Sequence, residues 1–171
     1  MMAKFPKTCP ASSSWWKLIW VPLASHFHSA VVMAILELFY PFADLTGGRL
    51  GVTSLYFRLG ENLRAPDVSL TLKDRRSIFG PHRIWGIEAP DLAVEALSTE
   101  QYGEPYARQK VPEYLNASAR VVWLVNPENR TVRVFEAGSD EVRVYSGDAE
   151  VTLDQLAPGF RAPISAFFPA D

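Results

Sequence analysis

Cysteine is almost missing from this chain: Cys9 is the only one in 171 residues. A single thiol excludes an intrachain disulfide and a cysteine-built zinc site, and it fits a reducing, cytoplasmic setting. An excess of either charge is missing too. Seventeen Lys and Arg face nineteen Asp and Glu, for a formal net charge of −2. That argues against a protein that coats nucleic acid through bulk positive charge, although it leaves room for a local basic patch. No stretch of 18 uncharged apolar residues occurs, so no membrane span is expected. Near the N-terminus Lys4 and Lys7 precede a short apolar run. Lys17 interrupts that run and Pro22 ends it, which speaks against a signal peptide. Fold-scale repeats and low-complexity tracts are also lacking.

What is present suits one domain with one core: 48% of residues are hydrophobic and 21% charged. Residues 1–24 read as an N-terminal arm, in which "WWKLIWV" has the look of an edge strand. Residues 25–171 read as a single domain. "SHFHSAVVMAILELFYPF" predicts a helix capped by Ser25, with Val31, Val32, Ile35, Leu36 and Phe39 at helical spacing. Pro41 is expected to stop it. "RLGVTSLYFRL" (49–59) predicts a strand and "GEN" (60–62) a turn. "VSLTL" (68–72) and "DLAVEAL" (91–97) predict two more strands. A helix is expected over 105–118, where Pro112 is an obstacle. "RVVWLVN" (120–126) is nearly all apolar, as a central strand buried on both faces would be. "TVRVFEAG" and "EVRVYSG" alternate like an antiparallel pair, and "LAPGFRAPISAFF" closes the chain irregularly.

Two segments almost repeat each other: "RAPDVSLTL" (64–72) and "EAPDLAVEAL" (88–97). Each places Ala-Pro-Asp before a strand, where proline is tolerated. Asp91 and Glu95 lie on one face of the second strand, but about 13 Å apart at roughly 3.3 Å per residue. Two carboxylates on one magnesium ion must each bring an oxygen to about 2.1 Å from it. Asp91 and Glu95 cannot do so on a regular strand. Antiparallel pairing sets the start of one strand beside the end of the next, which brings Asp67 towards Glu95 instead. Each of these two acids also faces away from its strand's main apolar set. Asp67 and Glu95 are therefore the candidate metal pair, and Asp91 is expected only to open its strand. Acids that merely sit at strand ends or on the surface would give the same spacing.

The ordered set "APDVSL", "APDLAVEALS" and "KVPEYLNASARVVWLVNPENRTVRVFEAG" resembles the Uma-two family of restriction endonucleases, within the PD-(D/E)XK nuclease superfamily. The resemblance spans about residues 25–168 and rests on Asp67, Glu95, Ser98, Lys110, Tyr114, Trp123 and Asn126-Pro127. It implies an α/β, restriction-endonuclease-like fold. The expected core runs αβββαβ around a mixed central sheet, with an additional antiparallel strand pair near the C-terminus. It also implies a metal-dependent endonuclease acting on DNA. Asp67 and Glu95 would ligate Mg2+, or Mn2+ in its place, and Lys110 would complete the catalytic set. The lysine usual two residues after the Glu is absent, because Leu97 stands there. Analogy with restriction enzymes suggests a homodimer.

The chain departs from the family pattern at Tyr106, where an acid is frequent, at Pro112 close to Lys110, and in the N-terminal segment. The alternative reading is a catalytically impaired nuclease-fold protein that binds nucleic acid or another partner. A small-molecule phosphohydrolase is a third. Taken singly, Glu37 reads as a solvated helix residue, His26 and His28 as structural, and His82 as a turn residue. Lys73, Arg75, Arg76 and Arg83 form the best basic patch, suited to phosphate contacts or simply to a solvated loop. Trp85 reads as a buried anchor, and Trp123 and Phe135 as core.

Overall fold

The computed structural model describes residues 26–80, 84–97 and 103–169. The N-terminal arm with its "WWKLIWV" strand, Cys9, the Ser25 cap, His82, Arg83 and Ser98 lie outside that range. Period-two alternation in the strands builds the frame. In β4 (Val68–Thr71), β5 (Leu92–Ala96) and β6 (Val121–Asn126), successive side chains enter opposite faces of one sheet, and almost every one is buried. The six-stranded sheet has the order β1-β4-β5-β6-β7-β8, where β1 is Arg49–Val52, β7 Thr131–Glu136 and β8 Val142–Tyr145. Pairing is antiparallel throughout except between β5 and β6. That parallel step is bridged by helix α2 (Gly103–Asn116), as a parallel crossover requires. The αβββαβ order and the mixed sheet agree with the sequence reading, and β7 and β8 extend the sheet as its antiparallel pair.

Each face of the sheet carries its own core. On one, Val68, Leu70, Leu92, Val94, Val121 and Trp123 meet helix α1 (His26–Thr46) through Val31, Ile35 and Phe39. The C-terminal segment completes this layer. Phe160 stacks on Phe39, and Phe167 lies against Trp123. On the other face, Ala93, Leu97, Val122 and Leu124 meet Ala107, Val111 and Tyr114 of α2. A hairpin of β2 (Phe57–Leu59) and β3 (Asn62–Arg64) and a 3-10 helix (Lys73–Phe79) finish that layer. Two short strands, β9 (Glu150–Thr152) and β10 (Arg161–Pro163), pair near the C-terminus.

Two expectations need correction, and the obstacle at Pro112 is resolved. α1 runs through Pro41 to Thr46, and α2 runs through Pro112. Proline removes the N–H that the carbonyl four residues earlier would receive. Pro41 and Glu37 are both exposed, as are Pro112 and Arg108, so water can satisfy the orphaned carbonyls. The strand expected over 49–59 is two strands in different sheets. The chain turns after β1, with the Leu55 amide donating to the Val52 carbonyl at 2.7 Å. Gly51 permits that turn: a Cβ there would stand 2.4 Å from Leu55 Cδ2 and 2.6 Å from Ser69 Oγ.

By length and composition α1 could cross a membrane, with a mean hydropathy of 1.4. Yet Val31, Ile35, Phe39 and Ala43, which raise that value, form the stripe that covers the sheet.

Candidate active site

The β4–β5 register sets the site. Val68 pairs with Val94, Ser69 with Ala93 and Leu70 with Leu92. One step further, Asp67 falls opposite Glu95, as antiparallel pairing requires. The last rung at this end is made by a side chain, since Asp67 Oδ2 accepts the Ala96 amide at 2.8 Å. Asp67 is partly buried at the rim of the sheet, while Glu95 is only 5% exposed.

Helix α2 supplies the cation. Lys110 and Tyr114 are four residues apart and so share one helix face. Lys110 Nζ donates to Glu95 Oε2 at 2.7 Å, and the Tyr114 hydroxyl donates to Glu95 Oε1 at 2.8 Å. Both oxygens of Glu95 are thus engaged from a single helix. Pro112 does not displace the lysine, because the helix carries it well inside its span.

From the other side of the sheet, α1 brings His28 Nε2 to 3.4 Å from Asp67 Oδ2. Burial pulls the His28 pKa below its ordinary value. That shift favours the neutral imidazole beside Asp67. The spacing of His26 and His28 gave no sign of this approach, which arises only when the α1 N-terminus meets the start of β4.

Burial dominates the electrostatics. It raises the Asp67 pKa against the pull of the Ala96 amide and Lys110. It raises Glu95 as well, with the negative charge of Asp67 adding to the rise and Lys110 and Tyr114 opposing it. Burial and the Glu95 carboxylate push the Tyr114 phenol far above its usual value, so it stays a donor.

A buried Glu95 and a partly buried Asp67, both disfavoured by burial in their charged forms, would gain from a further cation. Their donor atoms are hard oxygens, which suit magnesium or manganese. Among the described residues no group of three or more His, Cys, Asp or Glu converges to hold a metal ion. Magnesium is commonly held by one or two carboxylates, with water and substrate phosphate filling the other positions. The donor set therefore fits such an ion.

Asp91, the sequence twin of Asp67, has a different setting. It is fully buried. It accepts the Leu72 amide at 2.8 Å and pairs with Arg75 and Arg120, each at 3.3 Å. Arg75 also reaches Glu88 and the carbonyls of Ala89 and Ser118. The Arg75 guanidinium, read from sequence as part of a basic patch suited to phosphate contacts or to a solvated loop, is thus a partly buried clamp for the β4–β5 connection. Asp91 does more than open its strand. Trp85 is half-buried, as is Phe135, whereas Trp123 is fully buried. Glu37 is exposed, as expected.

The β2–β3 hairpin is tied to α2 by a bidentate pair. Arg64 Nε and Nη2 donate to the Glu113 carboxylate at 2.7 and 2.9 Å. Hydrogen bonds from Arg64 hold the Glu113 pKa below the ordinary carboxylate value. A depressed pKa stabilises the fold above the unfolded-state value and loses that effect as pH falls through the folded one. Arg64→Ala should therefore lower stability by no more than about 1 kcal/mol at pH 7, because the pair is partly solvated. In urea titrations the two proteins should converge as the pH is taken below the carboxylate range.

Comparison with known proteins bears on this geometry. The sequence profile of the Uma2 family, described as "Putative restriction endonuclease", matches residues 17–165. The fold is similar to a crystal structure from Anabaena variabilis ATCC 29413, a "putative nuclease belonging to DUF820". The TM-score is 0.78 at 23% identity, over 89% of this chain and 86% of that one. No curated protein matches the sequence significantly.

Proposed function

The chain belongs to the Uma2 family, and from that premise we propose that it is a metal-dependent endonuclease hydrolysing phosphodiester bonds in DNA. The observation that carries this reading is the juxtaposition at one end of the sheet. Asp67 and Glu95 stand opposite each other on paired strands, with Lys110 bonded to Glu95 from the following helix. Asp67 and Glu95 would hold a magnesium or manganese ion. Such an ion, when bound, supplies Lewis acidity toward a phosphoryl oxygen and acidifies water. The chain's own groups do the rest. Each carboxylate oxygen has more than one lone pair, so Asp67 can keep the Ala96 amide while also facing an ion. Lys110 lies on a flexible stem and is partly exposed. Its ammonium can turn from Glu95 to orient the attacking water or to neutralise charge gathering on the phosphate. His28 braces the far side of Asp67.

Supercoiled plasmid tests this directly. The protein should nick or linearise it with magnesium or manganese, and chelator should stop the reaction. Calorimetry should show manganese binding at millimolar concentration or tighter. Absence of both would overturn the reading in favour of a catalytically impaired nuclease-fold protein.

A further inference from the structure

We propose that Tyr114 is a positioning residue for the nuclease reaction: it holds the Glu95 carboxylate in its metal-ready orientation while Lys110 swings away. This rests on the nuclease reading above. Two arms reach Glu95 from α2. They are nearly equal in length, 2.7 Å from Lys110 and 2.8 Å from Tyr114, but they differ in freedom. Tyr114 is fully buried and packs among Ala107, Val111, Val122 and Leu124. A phenol on two rotatable bonds, enclosed this way, has one place for its hydroxyl. Lys110 is partly exposed and ends a four-carbon stem with three donors. If Lys110 is to serve water or phosphate, its bond to Oε2 must lengthen or break.

Without a second arm, Glu95 would then rotate about its terminal torsion. Tyr114 prevents this, because its grip is on the other oxygen. The division would also leave Oε2, the oxygen that Lys110 vacates, available to an arriving ion. Tyr114 thus acts on the metal only through Glu95, as outer partners of metal ligands commonly do. Arg64 and Glu113 steady the same helix from outside, one residue before Tyr114.

Tyr114→Phe removes the hydroxyl and little else. Manganese affinity should be read by electron paramagnetic resonance, plasmid cleavage by steady-state kinetics, and folding by thermal denaturation without metal. Outer-partner changes at metal sites typically weaken binding or rate by about 10–100-fold. The variant should therefore bind manganese about tenfold more weakly and lose kcat, with KM for DNA unchanged. Its metal-free melting should stay cooperative. A variant that matches wild type in manganese affinity and kcat overturns this role, whatever its melting temperature. A wild type that neither binds manganese nor cleaves overturns the nuclease reading, and the Tyr114 role with it.

Discussion

Asp67→Asn and Glu95→Gln should each reduce plasmid cleavage by about a thousandfold or more, the scale of losing an essential charged member of a catalytic site. Neither should unfold the protein. The amide in Asp67→Asn would retain an oxygen for the Ala96 N–H, and that in Glu95→Gln one for the Tyr114 hydroxyl, so the local geometry would persist. The sign of the stability change follows from burial. Both acids have folded-state pKa values above their unfolded ones. Their protonated forms therefore favour the fold at low pH, and that advantage disappears as pH rises through the raised values. Above the raised values the wild type carries charge on a buried Glu95 and a partly buried Asp67, and each neutral variant lacks one of these charges. In a pH series without metal, the melting temperature of each variant should gain on that of wild type as the pH rises through the raised values. Active-site charges often oppose stability in this way. A variant that cleaves at the wild-type rate would remove its residue from the site. Loss of cleavage together with loss of cooperative melting would assign it a structural role.

Asp91→Ala should give the opposite result. The Asp91 carboxylate is buried between Arg75 and Arg120 and caps the Leu72 amide. Its removal leaves the Leu72 amide without its acceptor and takes from Arg75 and Arg120 the carboxylate they share, although Arg75 keeps Glu88 and two carbonyls. Breaking one side of a buried pair costs up to about 3–5 kcal/mol, and the partners Arg75 retains put this loss near the lower end, about 3 kcal/mol. For a domain of this size that is a fall of roughly 10 °C in Tm. Asp91→Asn should lose about half as much, because it keeps an acceptor for Leu72 while giving up the charge. Denaturant melts report the loss. Cleavage per folded molecule should be unchanged in both variants at low temperature. A drop of less than about 1 kcal/mol in Asp91→Ala would show that the clamp is not structural.

The contrast between the two Ala-Pro-Asp segments marks what the sequence disclosed and what it hid. Period-two alternation put Asp67 and Glu95 on the faces away from their strands' apolar sets, and antiparallel pairing placed them opposite each other. The observed register does the same. A single strand pairing was all the long-range information required. The Asp91 clamp draws on Arg75 and Arg120, 16 and 29 residues away. Such ion pairs have no period, so alternation could not reveal them. The approach of His28 to Asp67, a contact between distant segments, has no period either. The helices were harder at their prolines, where local propensity predicted a stop at Pro41 and made Pro112 an obstacle within the helix expected over 105–118. Solvent on the proline side and a packed core on the other overrode it. Lys110 was legible through resemblance alone, because its contact with Glu95 depends on how α2 crosses the sheet.

The rung between Asp67 and Ala96 gives this protein a built-in spectroscopic probe. One amide proton, adjacent in sequence to Glu95, terminates on the carboxylate of the other acid. Its chemical shift and its exchange with deuterated solvent depend on the charge and position of Asp67 rather than on substrate turnover. A single resonance next to Glu95 therefore senses the state of Asp67 in the resting protein, before any nucleic acid is added.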